Sequence, residues 1–203
     1  NTLTDLADAG NRLCRKYGWP THERQAYRYF VGNGIPKLVE RLAPADQRTP
    51  AVLEAALADF KRDYGQHLRD TTAPYPGIPE MLAKLKANGV QLAVFSNKAD
   101  ALAKEVVKDY FGTQYFTIVR GQMTGVAPKP AAEGTNALLQ ALHADPASTL
   151  YVGDSNVDVE TAHNANLPCC GAVWGFRTRE ELNAAGAEYL AENSDELYDV
   201  IMK

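Results

Sequence analysis

Three short stretches of this sequence put charged, hydroxyl and amide side chains where chemistry could be done. The first is Gly153-Asp154-Ser155-Asn156-Val157-Asp158, directly after the apolar run Leu150 to Val152. That run reads as a buried strand, Gly153 breaks it, and Asn156 to Ala165 reads as a helix. A carboxylate at the end of a strand, where an α/β sheet opens into a crevice, suits a metal or a phosphate. A helix starting near Ser155 sets Asp154 and Asp158 one turn apart, leaning toward the same crevice. The second stretch, Ser96-Asn97-Lys98, follows an expected strand from Val90 to Phe95. A hydroxyl with backbone N–H groups opening a helix makes a phosphate cradle. The third is Lys129-Pro130, expected to open the helix that begins at Ala131. Proline is routine at a first helical position, but a lysine there has the wrong sign for the helix dipole. A bound anion, shared with Asp154, would account for it. Each stretch also has a plain reading: Asp and Ser as helix caps, Ser-Asn as a capping turn, Lys129 as a solvated charge.

These residues need elements to carry them, and the chain changes character once along its length. Leu3 to Tyr17, Thr21 to Phe30, Ile35 to Leu42 and Ala51 to Leu68 read as helices, with Gly18 closing the first and Thr21 capping the second. No strand is expected in this block, so residues 3–72 read as a small helical domain. Thr71 to Pro79 is a proline-rich connector and the best boundary in the chain. From 73 to 203 strands alternate with helices of ten or so residues: helix Glu80 to Asn88, strand Val90 to Phe95, helix Ala99 to Tyr110 and a short strand around Phe116 to Val119. Helix Ala131 to His143, strand Leu150 to Val152, helix Asn156 to Asn166 and strand Cys169 to Trp174 follow, closed by helices Arg179 to Ala185 and Ser194 to Met202. That alternation implies an α/β fold with a doubly wound parallel sheet.

Composition narrows the class. A chain of 203 residues with 45% hydrophobic and 23% charged residues can bury a proper core. The net charge of −4 lacks the basic footprint of a nucleic-acid binder. No apolar run approaches the roughly 18 residues a membrane span needs. Cys14, Cys169 and Cys170 fit neither a disulfide framework nor zinc spacing, which places the chain in a reducing compartment, the cytoplasm. His22, His67, His143 and His163 lack ligand spacing, and Trp19, Tyr27, Tyr29 and Phe30 read as packing residues. Gly32-Asn33-Gly34 lies between helices, so it is not a dinucleotide fingerprint; a substrate-facing loop and a simple helix break are equal readings.

In order and spacing, Ser96-Asn97, Lys129-Pro130 and Gly153-Asp154-x-x-x-Asp158 resemble the second, third and fourth motifs of the haloacid dehalogenase (HAD) superfamily of phosphotransferases. The helical block resembles that superfamily's cap domain. Phe30-Val31-Gly32-Asn33-Gly34 and Gly77-Ile78 are similar to stretches of its phosphoglycolate phosphatase subfamily. The resemblance implies a Rossmann-like core, Mg²⁺ as cofactor, and a small phosphorylated metabolite, 2-phosphoglycolate first, hydrolysed through an aspartyl-phosphate. It implies Asp154 as a metal ligand and Asp158 behind it, steadying a metal water or Lys129. Lys129, Ser96 and the Asn97 N–H would hold phosphoryl oxygens, and Gly32, Asn33 and Gly34 would form a substrate loop of a closing cap. Neither nucleic acid nor membrane is expected as partner, and the chain would be a monomer or homodimer. Asn1-Thr2-Leu3-Thr4-Asp5 resembles the tail of the first motif, Asp-x-Asp-Gly-Thr, with Asn1 where Gly is usual. Its two aspartates are expected upstream of Asn1, ending a central strand between those that lead to Ser96 and Asp154. Asp5 and Asp8, on a helix, cannot replace them. A non-catalytic phospholigand-binding or interaction module, a pyrophosphatase and a sugar-phosphate mutase stay open as alternatives.

Overall fold

The computed structural model describes all 203 residues and divides into two compact units, Asn1–Ala73 and Pro74–Lys203. The first holds four helices: α1 (Leu3–Tyr17), α2 (Arg24–Phe30), α3 (Ile35–Leu42) and α4 (Pro50–Gln66). In α1 the recurring Leu6, Leu13 and Cys14 form its buried stripe, and Gly18, at φ 68°, ends the helix in the left-handed conformation. The unit closes around Tyr27, Phe60, Tyr64 and Leu38, each at most 2% exposed. Helix α2 starts three residues later than the expected Thr21 cap. Asn11 explains the shift: its side chain accepts from the His22 N–H at 2.9 Å and donates to the His22 carbonyl at 2.9 Å, holding the chain extended there. Buried Asp5 accepts from the backbone and hydroxyl of both Thr71 and Thr72, tying the start of the unit to its end.

The second unit is α/β with parallel strands. It runs α5 (Ile78–Ala87), β1 (Leu92–Ala99), α6 (Asp100–Phe111), β2 (Phe116–Gln122), α7 (Glu133–Leu142) and β3 (Tyr151–Gly153). There follow α8 (Asn156–Asn164), β4 (Cys169–Ala172), α9 (Arg179–Ala184), β5 (Tyr189–Ala191) and α10 (Ser194–Ile201). Every paired strand is parallel, and β1–β2, β3–β4 and β4–β5 are each joined through a helix, the connection that parallel pairing requires. Met81, Leu82 and Leu85 of α5, Cys170 of β4 and Leu197 of α10 pack one core; Val159, Ala162, Cys169 and Leu182 pack another against α8 and α9.

Several expected boundaries move, with local causes. Strand β1 runs on through Ser96-Asn97-Lys98 to Ala99, so these residues end a strand and do not open a helix. Asp100 accepts from the Gly121 N–H at 2.9 Å, which fixes the turn into α6 only after Ala99. A side chain at Gly121 would stand 2.5 Å from the Lys98 carbonyl, so glycine is what lets the two strand ends approach. Pro130 does not open α7 either. It sits in a turn, with the Lys129–Pro130 peptide cis and the Ala131 N–H bonded to Pro128 O at 3.0 Å, and the helix begins at Glu133. Strand β4 stops at Ala172, short of Trp174, and β5 was not expected at all.

The sheet is not continuous. Strands β1 and β2 form one sheet and β3, β4 and β5 another. Between β1 and β3 lies a groove of about 700 Å³, lined by Leu92, Ala93 and Phe95 on one side and Tyr151 and Val152 on the other, with Thr135 and Leu138 of α7 beside them. Val152, although in a strand, is 39% exposed. The Thr135 hydroxyl is buried without a hydrogen-bond partner.

Candidate functional site

Asn97, Lys129, Asp154 and Asp158 meet where β1 and β3 run out, and Ser96 adjoins them through Asn97. Asn97 holds the main chain of Lys129 from both sides: its side-chain oxygen accepts from the Lys129 N–H at 2.8 Å, and its amide donates to the Lys129 carbonyl at 3.2 Å. With its backbone clamped, Lys129 sends its ammonium to Asp158 Oδ1 at 2.6 Å, the two side chains being 11% and 9% exposed. Phe95 and Tyr151 flank the ammonium, with ring centroids 5.9 and 6.0 Å away. The Phe95 ring fits because α7 has Gly134 against it; a Cβ there would stand 2.1 Å from the ring.

Asp158 anchors the opposite wall. Its Oδ2 accepts from the Ser155 hydroxyl at 2.7 Å, the Ser155 N–H at 3.1 Å and the Asp154 N–H at 3.2 Å. These bonds close the N-terminus of α8 and fix the backbone that carries Asp154. Gly153 is needed because a Cβ at that point would lie 2.0 Å from the Asp158 Cβ. Burial disfavours the Asp158 charge, yet Lys129 and Ser155 outweigh it and hold the carboxyl below its ordinary range. Burial likewise opposes the Lys129 charge, and Asp158, with Tyr151 and Asp154 behind it, keeps that amine above the ordinary lysine value.

Asp154 has the opposite balance. Burial and the neighbouring Asp158 charge push it up to about 6, against weaker pulls from Lys129, the Phe176 N–H and Arg177. A carboxylate kept ionised in that position is short of positive charge. A hard divalent cation with oxygen ligands supplies what is lacking, and Mg²⁺ commonly takes only one or two carboxylates beside waters and substrate oxygens. The donor type fits. The ligand number does not close within these residues, since no group of three or more His, Cys, Asp or Glu side chains comes together.

Ser96, half-buried at the end of β1, accepts from the Lys98 N–H at 3.1 Å. Gly32, Asn33 and Gly34 lie in the helical unit, joining α2 to α3. Gly32 and Gly34 have φ of 118° and 84°, which other residues rarely adopt. Arg41 donates to the Phe30 carbonyl at 2.8 Å and to the Asn33 side chain at 2.9 Å, fixing this loop. Sequence reasoning missed the clamp by the Asn97 side chain, the part played by Ser155, and the turn Trp174–Arg177 that meets Asp154. The adjacency of Asn97 to Ser96 and the Ser-x-x-Asp spacing were the available signals for the first two.

Residues 1–172 match the family described as haloacid dehalogenase-like hydrolase. A phosphoglycolate phosphatase of Chromobacterium violaceum is 28% identical over 204 residues, covering 99% of this chain and 90% of its own. A plasmid-encoded phosphoglycolate phosphatase of Cupriavidus necator is 30% identical over 194 residues, 95% of this chain and 84% of its own. Among solved structures, a protein of Lactobacillus delbrueckii subsp. bulgaricus, provisionally named a phosphoglycolate phosphatase, superposes with a TM-score of 0.93. It is 26% identical and covers 99% of this chain and 92% of its own. The fold is thus the Rossmann-like core of these hydrolases.

Proposed function

We propose a substrate and a metal for a chain whose family is shown: it belongs to the haloacid dehalogenase-like hydrolases, matched over residues 1–172. Like its curated relatives, it is a phosphoric monoester hydrolase. Our reading is a Mg²⁺-dependent phosphatase for a small phosphomonoester, 2-phosphoglycolate first among candidates. The observation that carries it is the buried Lys129–Asp158 pair beside the under-neutralised Asp154. A structural ion pair alone gives no reason for a second, half-buried carboxylate to be set against the first; a cation and a phosphoryl group between Lys129 and Asp154 do. The substrate rests on the relatives' names.

In this reading Asp154 holds Mg²⁺, which when bound supplies positive charge that offsets repulsion between the phosphoryl group and an attacking carboxylate. Lys129, aimed by Asp158 and by the Asn97 clamp, neutralises charge on the phosphoryl oxygens as it develops. Ser96 and the Asn97 N–H hold an equatorial oxygen. Asp158 keeps Lys129 in place and protonated. The nucleophile is an aspartate carried on a strand that seats in the groove between β1 and β3, ending beside Ser96 and Asp154. Its carboxylate oxygen bonds to phosphorus as the ester oxygen leaves with a proton from the second aspartate of that strand, which then takes a proton from the water that cleaves the aspartyl-phosphate to inorganic phosphate. The groove's position and its partnerless Thr135 hydroxyl support that placement. We further read Gly32, Asn33 and Gly34 as a loop that helps select substrate.

The deciding experiment assays the intact gene product on a panel of phosphate esters including 2-phosphoglycolate and p-nitrophenyl phosphate, with Mg²⁺ and with EDTA. We expect Mg²⁺-dependent turnover led by 2-phosphoglycolate, abolished in Asp154→Asn with the melting temperature little changed. Turnover unaffected by EDTA overturns the metal, and preference for another ester overturns the substrate.

A further inference from the structure

The turn after β4 bears on Asp154 in a way the motifs do not record. The Gly175 N–H bonds to Ala172 O at 3.1 Å, folding the chain back, and the Arg177 N–H bonds to Asp154 O at 3.0 Å. Between them the Phe176 N–H donates to the Asp154 carboxylate. Gly175 itself is buried. A Cβ built on it would stand 2.1 Å from the Asp154 Cβ, 2.6 Å from Cγ and 2.4 Å from Oδ2. Backbone conformation does not call for glycine here, because Gly175 is not among the residues with positive φ. The demand is one of space, and the group that needs the space is the Asp154 side chain.

We propose that Gly175 and Phe176 are positioning residues for the Asp154 carboxylate, and through it set the affinity of the Mg²⁺ site. The proposal rests on the reading of Asp154 as the metal's ligand. Glycine at 175 lets the turn close over Asp154, so that the Phe176 N–H can aim its carboxylate. Asp154 has little freedom to escape an added methyl. Its own N–H is held by Asp158 and its carbonyl by Arg177, and the clash begins at Cβ, before any side-chain torsion can relieve it. Mg²⁺ tolerates displaced ligands poorly because it demands near-ideal octahedral geometry. Loss of the partners that orient a ligand commonly weakens a metal site about 10–100-fold.

The test compares wild type, Gly175→Ala and Gly171→Ala in the intact gene product. Gly171 is the control. It is buried in β4 close by, and a methyl there meets Leu190 and Leu182 at 2.9 to 3.2 Å rather than Asp154. Mg²⁺ binding is measured by calorimetry, and separately the Mg²⁺ concentration giving half-maximal turnover of p-nitrophenyl phosphate. We expect Gly175→Ala to raise both by about 10-fold or more, with most of kcat regained at saturating Mg²⁺. Gly171→Ala should lower the melting temperature and leave both Mg²⁺ constants within about threefold of wild type, below the range for a disturbed ligand. Equal Mg²⁺ constants in wild type and Gly175→Ala, or equal rises in the two variants, overturn the proposal. A wild type that binds no Mg²⁺ overturns instead the metal reading on which it rests. Should Gly175→Ala fail to fold, it is combined with Asp154→Gly, which removes the clashing Cβ. The double variant must then melt like Asp154→Gly alone; if it stays unfolded, Asp154 is not what Gly175 accommodates.

Discussion

Replacing Asp158 by Asn tests how the site holds its charge. The carboxylate serves Lys129 with Oδ1 and two N–H groups and a hydroxyl with Oδ2. An amide cannot do both. If its oxygen faces Ser155, its NH₂ meets the Lys129 ammonium and leaves that charge buried without a partner. If it turns over, the NH₂ meets the N–H groups of Asp154 and Ser155. Removing one member of a buried pair costs about 3–5 kcal/mol. The alternative is for Lys129 to lose its proton at pH 7, roughly 3.5 units below a normal lysine and about 1.4 kcal/mol per unit, which caps the penalty near 5 kcal/mol. Asp154 lies close enough to take over part of the counter-charge, so we expect about 3 kcal/mol, the lower end of that range. Equilibrium urea unfolding reads it out through Trp174, in a Trp19→Phe background that leaves one indole in the chain. The double variant Asp158→Asn/Lys129→Met removes the stranded charge and should be more stable than Asp158→Asn alone. A loss below about 1 kcal/mol, the range of exposed pairs, or a double variant whose loss equals the sum of the singles, would refute the reasoning.

Other expectations are simpler to state. Lys129→Ala should lose at least about 100-fold in kcat, in the range of a removed transition-state charge donor, while Lys98→Ala stays near wild type; equal losses would mean the positive charge of the pocket is misplaced. Burial opposes the Asp5 charge, but Thr71 and Thr72 outweigh it and hold its carboxyl below the usual value. A lowered folded pKa gives stability that is present above the unfolded value of 3.8 and lost as pH falls below it. Asp5→Asn should therefore destabilise by about 2–3 kcal/mol at pH 7 and by less at pH 3, followed by thermal melts across that range. Burial pushes the Cys14 and Cys170 thiols up to about 11 and Cys169 up to about 12. All three are buried and free, so the native protein should not react with a thiol reagent at pH 8 on the timescale of minutes, and urea should release three thiols.

The positions of the candidate site residues were legible in the sequence, because each sits where an apolar run stops: Ser96 and Asn97 after Phe95, still within β1, and Asp154 after β3. Helix α1 was legible to the residue, its apolar spacing and Gly18 leaving no alternative. What failed was anything decided by a distant partner. The start of α2 is set by Asn11, and the end of β1 by Asp100 and Gly121. Strand β5 is three residues long with an exposed Tyr189, too short for an alternating pattern to announce itself. Gly175 looks in sequence like any glycine that ends a strand. Only the space left for Asp154 sets it apart.

The seam between the two sheets, where the proposed nucleophile strand seats, has a consequence for how the molecule must fold. Each sheet is one contiguous run of chain, 92–122 and 151–191, and its strands pair through nearby crossovers. The contacts that close the unit around these runs are of another order: the bond from Asn88, before the first run, to Tyr198, after the second, spans 110 residues, and the core in which α5 meets β4 and α10 is comparably remote in sequence. Such long closures are slow, since the chain entropy is lost before the contacts reward it. Lys129 is tied to β1 through Asn97, and Asp158 lies on α8 after β3, so their ion pair forms across that seam. During refolding, the ability to bind inorganic phosphate should therefore arrive after the helical signal has been regained, marking the last step of assembly.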